Sequence, residues 1–335
     1  MSGGIDSSIA AILLKEQGYQ VVGVTFGFWG ENTKHADDAA AMASIIGIEH
    51  YSIDLRERFK TTIVDYFVEE YIGGRTPFPC AKCNNELKWT VIFEEAERLG
   101  CDFVAMGHYV EIVQHNGKNY KREARDPDKD QSFFLWGLSS QQIARIVFPL
   151  SKFYKTEVRA MARERNLSIV SDKKDSLGAC FCEGDYRPFL QKQLADPKRW
   201  IYEGNFVDTD GNVLGKHNGY PLYTVGQRRG LIHLNRAVFV KEIRPQSNEV
   251  VLASLNDMYR TSFNIHSMRY IDKADFEGEL IVKIRYRKQS NRCRVIFETE
   301  TAAQVQLNEP LESIAPGQTA VFYVDGRVIG GGFIQ

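Results

Sequence analysis

The chain carries almost no surplus of charge: 42 Lys and Arg stand against 43 Asp and Glu, for a net of −1. That balance removes the bulk basic excess of many nucleic-acid-binding proteins, so any RNA role must rest on local patches. Long apolar runs are also missing. No stretch approaches the ~20 consecutive apolar residues of a membrane span, and no basic leader followed by an apolar run opens the chain. The expected compartment is the cytosol, with no membrane role. Cysteine is sparse, six in 335 residues, which excludes a secreted disulfide scaffold. There is no repeat of fixed period and no low-complexity tract. What remains is an ordinary folded composition, 43% hydrophobic and 25% charged, in a chain long enough for two or three domains.

The first half alternates strand and helix patterns. Ile9, Ala10, Ile12, Leu13 and Leu14 suit a helix running from Ser7 to about Gly18. "QVVGVTFGFW" then reads as a buried strand, "DDAAAMASIIG" as helix, "HYSIDL" as strand and "RFKTTIVDYFVEEYIGG" as a longer helix. "NNELKWTVIFEEAERLG" repeats the helical pattern, "CDFVAMGHY" reads as strand and "TEVRAMARERN" as another helix. Alternation of this kind predicts an α/β domain with a Rossmann-like parallel sheet. Beyond residue 200 helical periodicity largely stops, and turns such as "DTDGN", "KHNGYP", "RPQSNE", "APGQ" and "VDGR" punctuate short apolar runs. That texture predicts small barrels or sandwiches. The expected layout is an α/β domain over 1–192, a small β domain over 193–256 and a C-terminal β-barrel over 257–335.

Four stretches carry chemistry. In "MSGGIDSS", Gly3 and Gly4 let backbone N–H groups approach a phosphate, and Ser2, Ser7 and Ser8 add hydroxyl donors. Asp6 would repel that phosphate unless it capped the helix or faced a bridging Mg²⁺. Alone, the turn also reads as a plain helix cap. "TPFPCAKCNNELKW" sets Cys80 and Cys83 where a proline-stiffened loop meets a helix start. The helix dipole and Lys82 and Lys88 are expected to lower their pKa values, making them nucleophiles or metal ligands. Buried thiols or half of a zinc site are the alternatives, but "CFC", with one intervening residue, makes a poor second zinc pair. "DSLGACFCEGD" holds Cys180 and Cys182, with Lys173 and Lys174 nearby; in an extended segment the two thiols point to opposite sides, so only one faces a given site. "AMGHYV" places Gly107 and His108 at a strand's C-terminal edge, where α/β folds bind ligands, although a lone strand-end histidine is also an ordinary structural residue.

Taken in order, "SGGIDSS", "TPFPCAKCNNELKW", "GHY", "KDQSFFL", "KDSLGACF", "TVGQRRGL", "IRYR" and "APGQTAVFY" resemble the tRNA-specific 2-thiouridylases of the PP-loop ATP pyrophosphatase family, almost end to end. The resemblance implies ATP-dependent 2-thiolation of the wobble uridine: adenylation of the uracil 2-oxygen, then sulfur transfer from a cysteine persulfide. Carried over by position, Met1, Ser2, Gly3, Gly4, Ile5, Asp6 and Ser7 hold ATP with Phe26 and Gly107, and Mg²⁺ accompanies the nucleotide. Cys83 matches the nucleophile and Cys180 the persulfide carrier, the two forming a transient disulfide. Phe78, Pro79 and Cys80 match positions that line the target base, and His108, Lys129, Asp130, Gln131, Arg285, Tyr286 and Gln318 match tRNA contacts. Arg287 and Lys288, with Arg228 and Arg229, add local charge for an RNA backbone. The implied partners are tRNA and a sulfur-donor protein such as a cysteine desulfurase or relay protein.

Two features depart from that family. Many members carry aspartate where this chain has Cys80, and the change leaves Cys80, Cys83 and Cys180 as a three-thiolate set suited to a 4Fe-4S cluster with one open iron. Both sulfur sources stay open, with the relay favoured because it needs no further cofactor. Members also carry a short apolar strand ahead of the glycine turn; either that strand lies upstream of Met1 or ATP binding suffers. Two other readings remain: another ATP pyrophosphatase, such as an amidotransferase or synthetase, and a non-catalytic tRNA-binding paralogue.

Overall fold

The computed structural model describes residues 1–30, 34–167, 178–182, 184–195, 202–286 and 290–335. The chain divides into two compact units. The first comprises Met1–Ile63, Cys80–Phe181 and Val324–Ile329, the second Val64–Pro79, Cys182–Tyr323 and Gly330–Gln335.

In the first unit α1 (Ile5–Glu16) leads to β1 (Val22–Gly27), α2 (Lys34–Ile46) and β2 (Glu49–Asp54). β1 and β2 pair in parallel from Val22 opposite Glu49 to Gly27 opposite Asp54. Farther along come α3 (Trp89–Leu99), β3 (Val104–Ala105), the hairpin β4 (Glu111–His115) and β5 (Lys118–Arg122), β6 (Ile146–Val147) and α4 (Lys155–Glu164). β3 and β6 form a second parallel pair. Parallel strands alternating with helices are what the sequence pattern called for. The described strands nevertheless form two separate parallel pairs rather than one continuous sheet. Met1 lies along β1, its amino group donating to the Val24 carbonyl and its carbonyl accepting from Thr25 Oγ1 at 2.7 Å.

Apolar residues of α1 at helical spacing, Ile5 and Ile9, pack with Met42 of α2, Tyr109, Leu150, and Val158 and Ala162 of α4. This core fixes α1, and with it the preceding glycine turn, against α2, α4 and Tyr109. The expected long helix over "RFKTTIVDYFVEEYIGG" is interrupted. Helix Arg56–Phe59 is followed by a π-helical stretch, Lys60–Val64, before helix Asp65–Ile72 resumes. "NNELKW" is π-helical as well, over Cys83–Lys88, between helix Pro79–Lys82 and α3. Strand "CDFVAMGHY" shrinks to Val104–Ala105.

The second unit holds helix Asp65–Ile72, α5 (Tyr186–Gln193) and two sheets. In the smaller, β7 (Gly204–Val207), β8 (Val213–His217), β9 (Phe239–Arg244) and β10 (Glu249–Ala253) lie in the order β8-β7-β10-β9. The other sheet contains β11 (Tyr259–Tyr270), β12 (Leu280–Lys283), β13 (Asn291–Phe297), β14 (Ala303–Glu312), β15 (Thr319–Val324) and β16 (Arg327–Ile334). They follow the order β11-β14-β13-β12-β15-β16, and β11 pairs back onto β16 to close a barrel. Tyr71 of helix Asp65–Ile72 stacks on Tyr186 of α5 with ring centroids 4.5 Å apart. Among the described residues no helix is long and apolar enough to cross a membrane.

One core feature runs against composition rules. Lys121 of β5 is fully buried, and its Nζ donates to the carbonyls of Leu138 at 3.0 Å and Trp136 at 3.4 Å. Burial lowers its pKa from 10.5 to about 7. Below about pH 7 the folded protein bears the cost of a buried charge; between about 7 and 10.5 the unfolded chain holds a proton that the folded protein lacks, so stability rises with pH across that window. Urea unfolding of wild type and Lys121→Met from pH 6 to pH 10 should therefore show the difference moving in favour of wild type, by up to about 1.4 kcal/mol per pH unit. A pH-independent difference would contradict a depressed Lys121.

Candidate active site

The turn before α1 is shaped by its own hydroxyls. Gly3 has φ of 64°, and Gly4 caps the helix in an extended conformation without a side-chain cap. Ser7 Oγ donates to the Gly4 carbonyl at 3.1 Å and accepts from the Ser2 N–H at 3.2 Å, while Ser8 Oγ donates to the same carbonyl at 2.9 Å. The result is a closed loop at a helix N-terminus, where unpaired N–H groups and the dipole favour an anion.

Asp6 does not cap the helix, whose N-cap is Gly4. It lies inside the first turn of α1, where Tyr109 Oη donates to Oδ1 at 2.8 Å and Lys155 Nζ to Oδ2 at 2.6 Å. Lys155 thus neutralises the carboxylate that would repel a phosphate. Gly107 explains how the loop after β3 comes so near. A Cβ there would stand 2.7 Å from the Asp6 carbonyl carbon and 2.9 Å from the Ser7 nitrogen, so only glycine admits the approach. Phe26 sits near the C-terminal end of β1, with its ring 5.8 Å from that of Phe28.

The three thiols singled out by the sequence lie in this same unit. Cys80 is half-buried in helix Pro79–Lys82, Cys83 is buried at the start of the π-helical turn, and Cys180 is exposed. Cys80 and Cys83 both raise the Cys180 thiol, which places the three sulfurs in one neighbourhood. Phe181 anchors Cys180 by packing on Phe59 and Trp29, with centroids 5.8 and 6.3 Å apart. The sequence expected these thiols to be acidic, and the opposite holds. Desolvation by burial pushes Cys83 up to about 11 and raises Cys80; Lys88 pulls both the other way, but less. Cys180 has a water-exposed surface, yet protein mass around it desolvates the thiol and pushes it up to about 12. Lys82 contributes little because Glu86 holds it at 2.7 Å. Lys88 has no carboxylate partner among the described residues, and its charge also lowers His108 and the Met1 amino group. The glycine turn and the thiols therefore all lie within electrostatic reach of Lys88.

The segment holding Cys180 and Cys182 is a turn and not extended. Cys182 is buried in the second unit, its Sγ 3.6 Å from the Asp185 carbonyl. For a 4Fe-4S cluster the fit fails: among the described residues no three His, Cys, Asp or Glu side chains form a group able to hold a metal ion.

The remaining positions divide between the units. In the first, the His108 ring is stacked on Trp89 with centroids 6.1 Å apart and lies edge-on to Phe148 at the same separation, and burial lowers its pKa well below 6.5. Asp130 binds its own loop, accepting from the Ala124 and Ser132 N–H groups, and Gln131 Oε1 accepts from the Tyr109 N–H at 3.1 Å. Lys129 lies half-buried in that loop. In the second unit Phe78 is half-buried and Pro79 buried. Gln318 Nε2 donates to the Thr76 carbonyl at 2.9 Å and that of Pro77 at 3.3 Å, so "APGQ" grips the segment just before them. Arg285 is exposed and donates to the Ser313 carbonyl at 3.2 Å, Tyr286 is half-buried beside it in sequence, and Arg228 and Arg229 are exposed. Lys173, Lys174, Arg287 and Lys288 lie outside the described residues. Sequence reading missed Tyr109, Lys155 and Phe181, whose partners are remote in the chain and leave no local signal.

Three family models match the chain in succession. They are the tRNA methyl transferase HUP domain over residues 1–184, the tRNA methyl transferase PRC-barrel domain over 187–254 and the aminomethyltransferase beta-barrel domain over 260–334. The tRNA-specific 2-thiouridylase MnmA 1 of Bacteroides fragilis is 48% identical over 347 residues, covering 100% of this chain and 95% of the relative. MnmA 2 of Phocaeicola vulgatus is 47% identical, covering 100% of this chain and 96% of its own length, and the Cytophaga hutchinsonii MnmA is 39% identical with the same coverages. With a glycine turn on an α/β unit, thiols beside it and full-length similarity of this order, the chain belongs to the tRNA-specific 2-thiouridylase family.

Proposed function

We propose that this protein is a tRNA-uridine 2-sulfurtransferase that spends ATP to exchange the 2-oxygen of a wobble uridine for sulfur. The observation that carries the reading is that the α1 turn and the three thiols belong to one compact unit, with Lys88 acting electrostatically on both. The uracil 2-oxygen attacks the α-phosphorus of ATP held at the turn, and pyrophosphate leaves. An inert carbonyl oxygen thereby becomes a good leaving group, while backbone donors absorb phosphate charge. The terminal sulfur of a Cys180 persulfide attacks C2, and Cys83 attacks the inner sulfur. The C2–O bond breaks to release AMP, and Cys83 and Cys180 end as a disulfide that an external thiol reduces. A sulfur-donor protein reloads Cys180, whose exposure gives it access. Phe78, Pro79 and Cys80 line the splayed base, and Arg228, Arg229 and Arg285 supply exposed charge for the RNA backbone.

Holding the thiols neutral at rest has a use. The thiolate is the reactive form, so a protonated, buried Cys83 is inert until substrate and persulfide are in place.

Three outcomes test this reading. Mass spectrometry of nucleosides from tRNA incubated with protein, ATP and a sulfur source should show 2-thiouridine with wild type and Cys101→Ser. Cys83→Ser and Cys180→Ser should each lower it by at least about a thousandfold. Retained ATP and tRNA binding with no thiolated product from wild type would leave a tRNA-binding protein instead. Alkylation of Cys83 in the free protein should have a midpoint above pH 9, near the value of about 11 that burial sets. Lys88→Met should move the Cys83 and Cys180 midpoints further up; unchanged midpoints would remove Lys88 from the site's electrostatics.

A further inference from the structure

Cys83 opens a helical turn of unusual register. Over Cys83–Lys88 the helix is π-type, one residue wider per turn than the α-helical segments on either side. A π-turn that relaxed to α would rotate everything before it by about 100° relative to α3, the angle of one residue in an α-helix. Cys83 would swing out of register. Something must therefore hold the turn, and Asn85 does so from within it. Its side chain is buried, 7% exposed, and Oδ1 accepts from the Gly137 N–H at 2.9 Å, 52 residues away. Gly137 is the residue the contact demands, because a Cβ there would lie 2.8 Å from both Cγ and Oδ1 of Asn85. The turn carrying Gly137 is itself pinned by Lys121, which binds the carbonyls of Trp136 and Leu138 on either side. Asn84 adds a local tie within the helix, its Nδ2 donating to the Cys80 carbonyl at 2.9 Å.

We infer that Asn85 is a positioning residue for Cys83, its bond to Gly137 holding the π-helical register that presents the nucleophile. The inference rests on the sulfurtransferase reading for its catalytic consequence, while the positional consequence can be read without tRNA or ATP. Asn85→Leu keeps the branching and heavy-atom count and removes the acceptor; Asn85→Asp keeps an acceptor oxygen on the same carbon. The first readout is the alkylation rate of Cys83 relative to Cys101 in the same folded protein, by peptide mass spectrometry. The second is the split between kcat and KM for tRNA thiolation. In Asn85→Leu the Cys83:Cys101 ratio should rise about tenfold and kcat fall about ten- to a hundredfold with KM within about twofold, as expected of misplacement without lost binding. Asn85→Asp should stay near wild type in both.

An unchanged ratio in Asn85→Leu, or equal loss in both variants, overturns the inference. Should Asn85→Leu not fold, Gly137→Ala disturbs the same contact from the other side, and an unchanged Cys83:Cys101 ratio there overturns it equally. If the ratio responds but wild type makes no thiouridine, the proposed function fails and the positioning role stands.

Discussion

The site depends first on the bridge made by Asp6. Lys155 is a nearly buried cation, its side chain 8% exposed, and Asp6, at 31%, is its counter-ion. Removing one partner of a buried pair costs about 3–5 kcal/mol because the other charge is left without compensation; the partial exposure of Asp6 puts this pair at the lower end. The bridge also reconciles two demands. Under the proposed function the first turn of α1 offers its N–H groups to a phosphate, and an unpaired carboxylate in that turn would repel one. With its charge met by Lys155 and its second oxygen by Tyr109, Asp6 joins α1, α4 and the segment after β3 without opposing an anion at the turn.

A second constraint concerns the thiols. Sequence reasoning weighs what is near in the chain, and for Cys80 and Cys83 the neighbours are two lysines and a helix start. The fold reverses the result, since Glu86 takes Lys82 and burial outweighs Lys88. Cys83 also lies a full turn past the start of helix Pro79–Lys82, away from the strongest part of the helix dipole.

This reversal marks the boundary of what was legible. Alternating strand and helix patterns, the glycine turn, the paired cysteines and the turn-rich β half all show in local composition, and the structure contains them. The π-turns do not show, because apolar spacing in "RFKTTIVDYF" and "NNELKW" fits an α-helix equally well; tertiary contacts such as Asn85 with Gly137 select the wider register. The strand near residue 105 is shorter than its apolar run because the chain leaves the sheet to bring Gly107 onto α1. Asp6 meets partners 103 and 149 positions away, a pairing that no window on the sequence contains.

Two glycines carry much of this hidden information. Gly107 lets the post-β3 segment touch the backbone of Asp6 and Ser7, and Gly137 lets a distant turn reach Asn85. One contact fixes the glycine turn, and the other fixes the helical turn bearing Cys83. Gly137 belongs to none of the motifs read from the sequence, and neither glycine has a side chain to mutate away. Their contribution is a distance: a single methyl group at either position forces backbone or a buried amide to move in a close-packed interior, where such movement propagates instead of being absorbed. Geometry that tolerates little displacement is thus built from close backbone approaches, with the side chains of Asp6 and Cys83 held in place through residues that have almost none of their own.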